Sequence, residues 1–302
     1  MTTSEWPCSG LPRLAIVLPA LAIALAGESC FAQQTGTPSG QDGASVQKTA
    51  TAGDFSFYLG VRLWVNTFEI PVVTNQLVIP NPSTPTQAVI QQTSTQTLSQ
   101  YEYVPMPIVG LRWKDLIASA SYFPDTTYTS NSISSVSVKR TEADASLGYL
   151  VLPTLAVTIG YKWGDLKGLP ILNGPIPSYN AQVDAVLLGA SGSAPLSDAF
   201  SLYGNAAYGW GHETISVPDA AGNSRYDLNY QIAELGLSYR FSFDSFLKAL
   251  SLTVGYRAQI TEVKNIAFGT YQPNNPPTLS STTSINVRSV TTGPVIGLIG
   301  VF

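Results

Sequence analysis

The chain has 302 residues, of which only 11% are charged, against about 25% in an ordinary soluble domain. A net charge of −4 without any basic cluster argues against nucleic acid as a partner. Both cysteines, Cys8 and Cys30, lie in a segment that we expect to be removed on export, so the mature chain is predicted to contain no disulfide.

The N-terminal segment has the pattern of a secretory signal peptide. Arg13 is followed by the apolar run 14–26 and then by GESCFA, which ends at Ala32 with small residues at the cleavage positions. We therefore predict a signal peptide over 1–32, with cleavage after Ala26 as the alternative. Residues 33–53 are small and polar, which indicates a flexible periplasmic leader.

From residue 54 to the C-terminus the sequence alternates between apolar and polar residues. In DFSFYLGVRLWVNTF, the first such stretch, every odd position from Phe55 to Val65 is apolar. A period of two predicts a strand with one apolar and one more polar face. About ten segments follow this pattern: 54–68, 101–113, 116–128, 139–152, 155–166, 179–191, 200–213, 226–241, 250–264 and 284–302.

The segment lengths and connections favour a barrel that crosses a membrane. Most segments have 12 to 16 residues, and a tilted strand needs about 9 to 11 residues to cross the hydrocarbon. Connections after even-numbered segments are shorter, the tightest being Lys114-Asp115 and Pro153-Thr154. We predict an all-β fold: a transmembrane up-and-down antiparallel β-barrel of about ten strands over 54–302, with eight or twelve as alternatives.

The uncharged run between Ala145 and Tyr161 is the main competitor to this interpretation, since its length is close to that of a membrane helix. Pro153 lies in its middle, where a helix would lose a hydrogen bond. Apolar residues also alternate on either side of this proline. The stretch is therefore predicted to be a hairpin that turns at Pro153-Thr154.

Aromatic residues gather toward the segment ends, as in the two girdles of a membrane barrel. Toward the loops these are Phe68, Tyr101, Tyr103, Tyr122, Tyr161, Trp163, Tyr208 and Trp210, and toward the turns Phe55, Phe57, Trp113, Tyr239, Phe241 and Phe302. The polar face is then directed into the lumen, where parity places ten charges that we expect to pair with one another. This predicted network consists of Arg62, Glu102, Arg112, Glu142, Asp144, Lys162, Asp184, Glu234, Arg240 and Arg257.

The C-terminal stretch VTTGPVIGLIGVF, residues 290–302, alternates and ends in phenylalanine. It resembles the last strand of Gram-negative outer-membrane β-barrel proteins, and the likeness in architecture covers 54–302. The resemblance implies an outer-membrane location in contact with lipids and lipopolysaccharide. It also implies that periplasmic chaperones and the barrel assembly machinery handle the chain, with Phe302 in the assembly signal. The oligomeric state stays open.

Ten strands leave a narrow lumen that side chains nearly fill. We therefore expect a largely occluded barrel with a structural or surface-interaction role, and a narrow channel for small solutes as the alternative. The first long connection, 70–100, carries no charge and is expected either to extend the strands or to fold over the mouth. Asp125 and Asp219 are expected to be isolated, solvated loop residues.

A second alternative is an enzyme at the barrel mouth, of the omptin protease or lipid A-modifying type. The only histidine, His212, has Glu213 and Ser216 nearby, but parity directs Glu213 to the opposite face. The omptin pattern would need an aspartate two residues before the histidine, where this chain has Trp210. We therefore expect no enzymatic activity, with His212 a weak catalytic candidate, and neither a cofactor nor a metal site.

Overall fold

The computed structural model describes residues 55–78, 88–97, 101–129, 137–170, 178–219, 221–243, 245–272 and 278–302. Within 71–100 and 268–283 this description is confined to the backbone. The predicted signal peptide and leader lie outside the described residues. No helix in the described part of the chain is long and apolar enough to cross a membrane.

The described residues form eleven antiparallel strands in one sheet, which closes because β1 pairs with β11. Strand β2 pairs with the far end of β1, and β3 pairs with its near end. They share one position in the ring, so the barrel has ten positions. The strands are β1 Phe55–Val78, β2 Ala88–Thr97, β3 Glu102–Trp113, β4 Leu116–Thr129, β5 Ser137–Leu152, β6 Leu155–Pro170, β7 Ser178–Pro195, β8 Phe200–Ile215, β9 Arg225–Ser242, β10 Ala249–Gln272 and β11 Thr278–Val301.

The predicted ten-stranded antiparallel barrel is confirmed. Each predicted segment corresponds to a strand, and the hairpin at Pro153-Thr154 joins β5 to β6. The largest difference is at the strand ends near the long connections, where β1, β10 and β11 each reach 24 residues. Part of the predicted first loop is therefore strand, since Glu69–Val78 pairs with Ala88–Thr97.

The outer surface of the barrel is apolar. Leu59, Val157, Ile159 and Leu298 are between 45% and 53% exposed, while their neighbours in sequence point inward. Water would not stabilise such a continuous apolar surface, whereas hydrocarbon does. The predicted assignment of the apolar face to the exterior of a membrane-spanning barrel is confirmed.

The barrel interior divides into two halves along its axis. We call them the turn half, next to the short turns and Phe302, and the loop half, next to the longer connections. On the inward face of β1, Tyr58 and Arg62 of the turn half are partly exposed. Trp64 and Phe68, further along the same face, are 0% and 2% exposed. Solvent thus enters the barrel from the turn end and stops near its middle.

Packed side chains fill the loop half. One cluster centres on Trp64 and the other on Tyr230, and both are built from inward residues of several strands. The rings of Trp64 and Phe123 meet edge to face at 6.1 Å, and those of Phe68 and Tyr128 lie 5.0 Å apart. The structure therefore places Phe68 in the interior rather than in the predicted outer girdle, as its even position on β1 requires.

Candidate functional site: the barrel lumen

Ion pairs lie where the two halves meet. Glu142 of β5 is their centre: its Oε1 accepts hydrogen bonds from Arg140 Nε at 2.8 Å and from Gln259 Nε2 at 3.0 Å. Lys162 Nζ on β6 bridges Glu142 Oε2 at 2.6 Å and Asp144 Oδ1 at 2.8 Å. The two cations, Arg140 and Lys162, balance the two carboxylates, Glu142 and Asp144. Arg140, Lys162 and Glu142 are buried, and their pairing offsets much of the cost of removing them from water.

A second cluster lies across the lumen and does not balance. The Glu234 carboxylate on β9 forms a short ion pair with Arg62 of β1. It also lies 3.5 Å from Arg257 Nη1 of β10. Two guanidinium groups thus share one carboxylate, and the cluster carries one excess positive charge. The Nε atoms of both arginines are buried without a hydrogen-bond partner among the described residues.

Aromatic rings of the loop half cover these cations. The Arg140 guanidinium lies 5.0 Å from the ring centres of both Phe68 and Phe123, and Arg257 lies 5.1 Å from that of Trp64. The electron-rich ring faces stabilise a cation from which water has been removed. The ion pairs and the aromatic clusters therefore form one continuous packed body, which we call the plug.

The structure brings six of the ten predicted lumen charges together in these clusters: Arg62, Glu142, Asp144, Lys162, Glu234 and Arg257. Glu102 also has an inward position, closer to the loop end. Arg112 and Arg240 occupy inward positions at the turn-end rim, where both are exposed, and Arg112 Nε donates to the carbonyl of Lys114 at 2.9 Å.

Asp184 requires a correction, because it lies on the outer face. Its carboxylate accepts a short hydrogen bond from the Tyr161 hydroxyl, while Val183 and Ala185 are the buried, inward residues of β7. Apolar residues occupy both parities in this strand, so alternation alone did not identify its inward face. Asp184 is tolerated because it lies at the level of the aromatic girdle, where polar groups reach water.

Sequence reasoning missed the residue that anchors the first cluster. Arg140 is 2% exposed and its Nη1 donates to Thr291 Oγ1 of β11 at 2.5 Å, across the barrel. Its parity with Glu142 and Asp144 was an available signal. The roles of Gln259 and of the Asn66–Tyr128 pair, joined at 2.7 Å, had none, because uncharged polar residues occur throughout the chain.

The turn half encloses a cavity of about 260 Å³, which we call the vestibule. Its walls are small and hydroxyl-bearing, and include Ser119, Ser146 and Thr158. Its charged lining consists of Arg62, Asp144 and Arg257, which belong to the ion-pair layer at its closed end. At about 30 Å³ per water molecule, the vestibule has room for about nine water molecules.

His212 lies on the outer face, as its parity with Trp210 predicts, and Glu213 points inward and is buried. The sheet register nevertheless gives His212 two carboxylate neighbours that sequence spacing did not reveal. It pairs with Asp184 of β7 and with Asp227 of β9. The distance from His212 Nε2 to Asp227 Oδ1 is 3.7 Å, which exceeds a hydrogen bond.

The described residues contain no group of three or more His, Cys, Asp or Glu side chains placed to hold a metal ion.

Asp125 and Asp219, expected to be isolated, both have partners. Asp125 bonds to Lys139 at 2.5 Å and also to Thr141. Asp219 holds the β8–β9 connection, since its carboxylate accepts backbone N–H groups of Ala221, Asn223 and Ala267, each at 2.9 Å. Burial alone would raise the pKa of Asp219, but these hydrogen bonds outweigh it and lower the pKa below the usual aspartate value.

Comparison with known proteins yields structural similarity alone. A scan of protein-family models finds no match to the chain, and a search of curated proteins finds none either. Among solved structures, the outer-membrane protease OmpT of Escherichia coli aligns with a TM-score of 0.43 at 10% identity, over 82% of this chain and 97% of that one.

Two further solved structures align over a similar share of the chain. A Pseudomonas aeruginosa FadL homologue aligns with a TM-score of 0.29 at 11% identity, over 82% of this chain and 90% of that one. The toluene transporter TodX of Pseudomonas putida gives 0.26 at 12%, over 82% and 89%. With TM-scores below 0.5, these similarities assign neither a family nor an activity.

The location of the chain follows from its own architecture. A closed antiparallel barrel with an apolar exterior, short turns at one end and longer connections at the other is how bacterial proteins cross the outer membrane with strands. The architecture is that of an outer-membrane β-barrel protein. In such barrels the short turns face the periplasm, so the vestibule of this protein opens on that side.

Proposed function

We propose that this protein is a non-conducting outer-membrane barrel that presents a surface-interaction region at its loop end. The observation that carries the proposal is the plug. Trp64, Val104, Tyr128 and Val138, contributed by four consecutive positions of the ring, are each 0% exposed. A lumen that admitted solutes would leave inward side chains in contact with water, as the vestibule does.

The ion-pair layer supports the same conclusion. A water-filled pore needs charges that face a continuous aqueous path, whereas here Glu142 and Lys162 satisfy each other and are 8% and 1% exposed. Separating them would leave buried charges unpaired, which costs about 3–5 kcal/mol. Spontaneous opening of a channel through this layer is therefore disfavoured.

The backbone at the loop end supports the surface role. Strands of 24 residues, such as β1 and β10, extend about 80 Å at about 3.3 Å per residue. At a tilt of about 45° they span about 55 Å along the membrane normal, against about 30 Å of hydrocarbon. The β1–β2 and β10–β11 hairpins thus project beyond the outer leaflet, where they are available to macromolecules outside the cell.

The biogenesis and lipid partners belong to the same proposal. The last residue packs at the turn end, where the Phe302 ring lies 6.1 Å from that of Phe57 and its backbone N–H donates to the Phe57 carbonyl at 2.8 Å. A terminal phenylalanine in this position supports recognition of β11 by the barrel assembly machinery, after passage with periplasmic chaperones. The apolar exterior supports contact with outer-membrane lipids and lipopolysaccharide.

An enzymatic role at His212 has less support. A general base is oriented by a carboxylate within hydrogen-bonding distance, and His212 Nε2 lies 3.7 Å from Asp227 Oδ1. The His212 side chain also lies on the outer face of the barrel, where it is 46% exposed. Replacing His212 with alanine is expected to leave unchanged any hydrolysis of lipid A or peptide that purified protein shows; loss of such hydrolysis would restore the enzymatic alternative.

Conductance in planar bilayers tests the proposal directly. The wild-type protein is expected to be silent, because the plug closes the lumen. A Phe68→Ala/Phe123→Ala double variant removes two rings of the plug and is expected to leak ions. The matched control, Tyr58→Ala, removes a ring from the vestibule alone and is expected to stay silent.

Reproducible conductance steps from the wild-type protein would overturn the proposal in favour of the narrow channel. Circular dichroism and the heat-dependent gel mobility of folded barrels would establish that all variants had folded.

A further inference from the structure

We propose that the closed end of the vestibule binds one small oxyanion, of the phosphate, sulfate or carboxylate class, between Arg62 and Arg257. This site goes beyond the proposed surface role, since it opens on the periplasmic side and does not require the loops.

The charge balance of the vestibule supports this inference. Asp144, the only acidic residue among the described lining residues, is neutralised by Lys162 Nζ at 2.8 Å and accepts a hydrogen bond from Ser121 at 3.1 Å. Arg62 and Arg257 share the single carboxylate of Glu234. One positive charge is therefore left over at the closed end of the vestibule. The packed plug beside it lowers the local dielectric, so the field of this charge is screened less than in bulk water.

The hydrogen-bonding capacity of the two arginines is also largely unused. A guanidinium group has five N–H donors. The described contacts occupy Nη2 of Arg62 and Nη1 of Arg257, and both Nε atoms are buried, so the other Nη group of each arginine is the one that can meet a ligand. Both side chains nevertheless line the vestibule and are 12% and 10% exposed. Planar, charged donor groups that face a cavity match the geometry of an oxyanion, which accepts several such bonds at once.

The surrounding residues hold the arginines in place and leave room for a ligand. Arg257 stacks on Trp64 of the plug at 5.1 Å, so its position is fixed from the loop side. Gly297 faces Arg62 across the β1–β11 pairing; a side chain there would come within 3.1 Å of Arg62 Cγ and 2.5 Å of Thr253 Oγ1. Ser and Thr hydroxyls on the vestibule wall can donate further hydrogen bonds.

The cavity volume is sufficient for a small anion. About 260 Å³, or about nine water molecules, accommodates a small oxyanion with a few waters. Water alone would satisfy the unused donors but would leave the excess charge unneutralised.

Isothermal titration calorimetry on the detergent-purified, full-length protein tests the site, with inorganic phosphate, sulfate and acetate as separate titrants at constant ionic strength. Saturable binding of one anion per chain is expected for at least one titrant. Arg62→Gln and Arg257→Gln should each weaken it at least tenfold. Each variant keeps one arginine on Glu234, so both are expected to fold.

Arg240→Gln is the matched control, because it removes one inward arginine at the exposed rim and should leave the affinity unchanged. Ser191→Leu is a second probe: it narrows the vestibule without altering any charge and should also weaken binding. The absence of saturable binding to all three titrants would overturn the inference, as would equal losses in the Arg240 and Arg257 variants. Conductance measurements on the same preparations are independent of this result.

Discussion

The loop half and the turn half of this barrel belong to the same ten-position ring of strands, yet the loop half is filled with packed side chains and the turn half encloses the vestibule. Strand β7 shows the contrast within a single inward face. Val183 and Ala185 in the loop half are 5% and 2% exposed, whereas Ser191 lines the vestibule in the turn half. Backbone closure is common to both halves, so the size and polarity of inward side chains determine where the lumen is open.

The largest effect is expected from a comparison of Glu142 and Asp144, the two carboxylates that share Lys162. Glu142→Gln removes the negative charge that neutralises two buried cations, Arg140 and Lys162, and is expected to cost about 3–5 kcal/mol of unfolding free energy. Asp144→Asn should cost less, because Asp144 is 26% exposed and water in the vestibule can take its place. Denaturant titration followed by tryptophan fluorescence measures both; equal losses would contradict the division into two halves.

A neighbouring pair of residues tests which face meets lipid. Ile159→Arg introduces a charge on the lipid-facing surface, beside Leu147 and Leu188 in the sheet register, and is expected to cost about 2–4 kcal/mol. Thr158→Arg places the same side chain in the vestibule, where water reaches it, and should be milder. Reversible unfolding from lipid vesicles gives both values, and equal penalties would refute the face assignment.

Enlargement of inward residues on β7 distinguishes a packed interior from an open one. Ala185→Leu overfills the plug and is expected to cost about 1–3 kcal/mol. Ser191→Leu, three inward positions further along, has the vestibule to enter and should stay below about 1 kcal/mol. The midpoint and slope of the same denaturant titration check this pair. A larger penalty at Ser191 would mean that the vestibule is filled.

The smallest expected effect concerns Asp219. It tests whether the β8–β9 connection is as well ordered as the loop half next to it. Because the pKa of Asp219 is lowered in the folded state, its stabilising effect is present above about pH 3.9, the ordinary aspartate value. It is lost as the pH falls through the lower, folded value. Hydrogen exchange at the amides of Ala221, Asn223 and Ala267 should then accelerate.

Asp219→Ala should give the same acceleration at neutral pH, and Asp198→Ala, in a turn at the opposite end, should not. Unchanged hydrogen exchange in the Asp219 variant would show that the β8–β9 connection is ordered without the hydrogen bonds to the Asp219 carboxylate.

Alternation predicted a strand at each of the ten positions of the ring, because in a closed barrel one face must meet lipid and the other must not. It did not predict β2, which lies within the predicted first loop. It was least informative where both faces are apolar, and Asp184 was misplaced for that reason. Alternation does not predict contacts between distant strands. Arg140 hydrogen-bonds to Thr291, 151 positions away. His212 lies between Asp184 and Asp227 because of the sheet register alone. The sequence likewise contains no signal for the depth at which the plug ends.

Closure of the ring joins the first strand of the chain to the last, from Tyr58 opposite Val301 to Glu69 opposite Val290. Until β11 has been synthesised and delivered, β1 and β10 each present a row of unpaired backbone groups, which is a template for aggregation. The cylinder therefore cannot close progressively as translation proceeds. Loss of β11 would leave the edges of β1 and β10 open together, and proteolysis of immature chains is the expected fate of such a truncation.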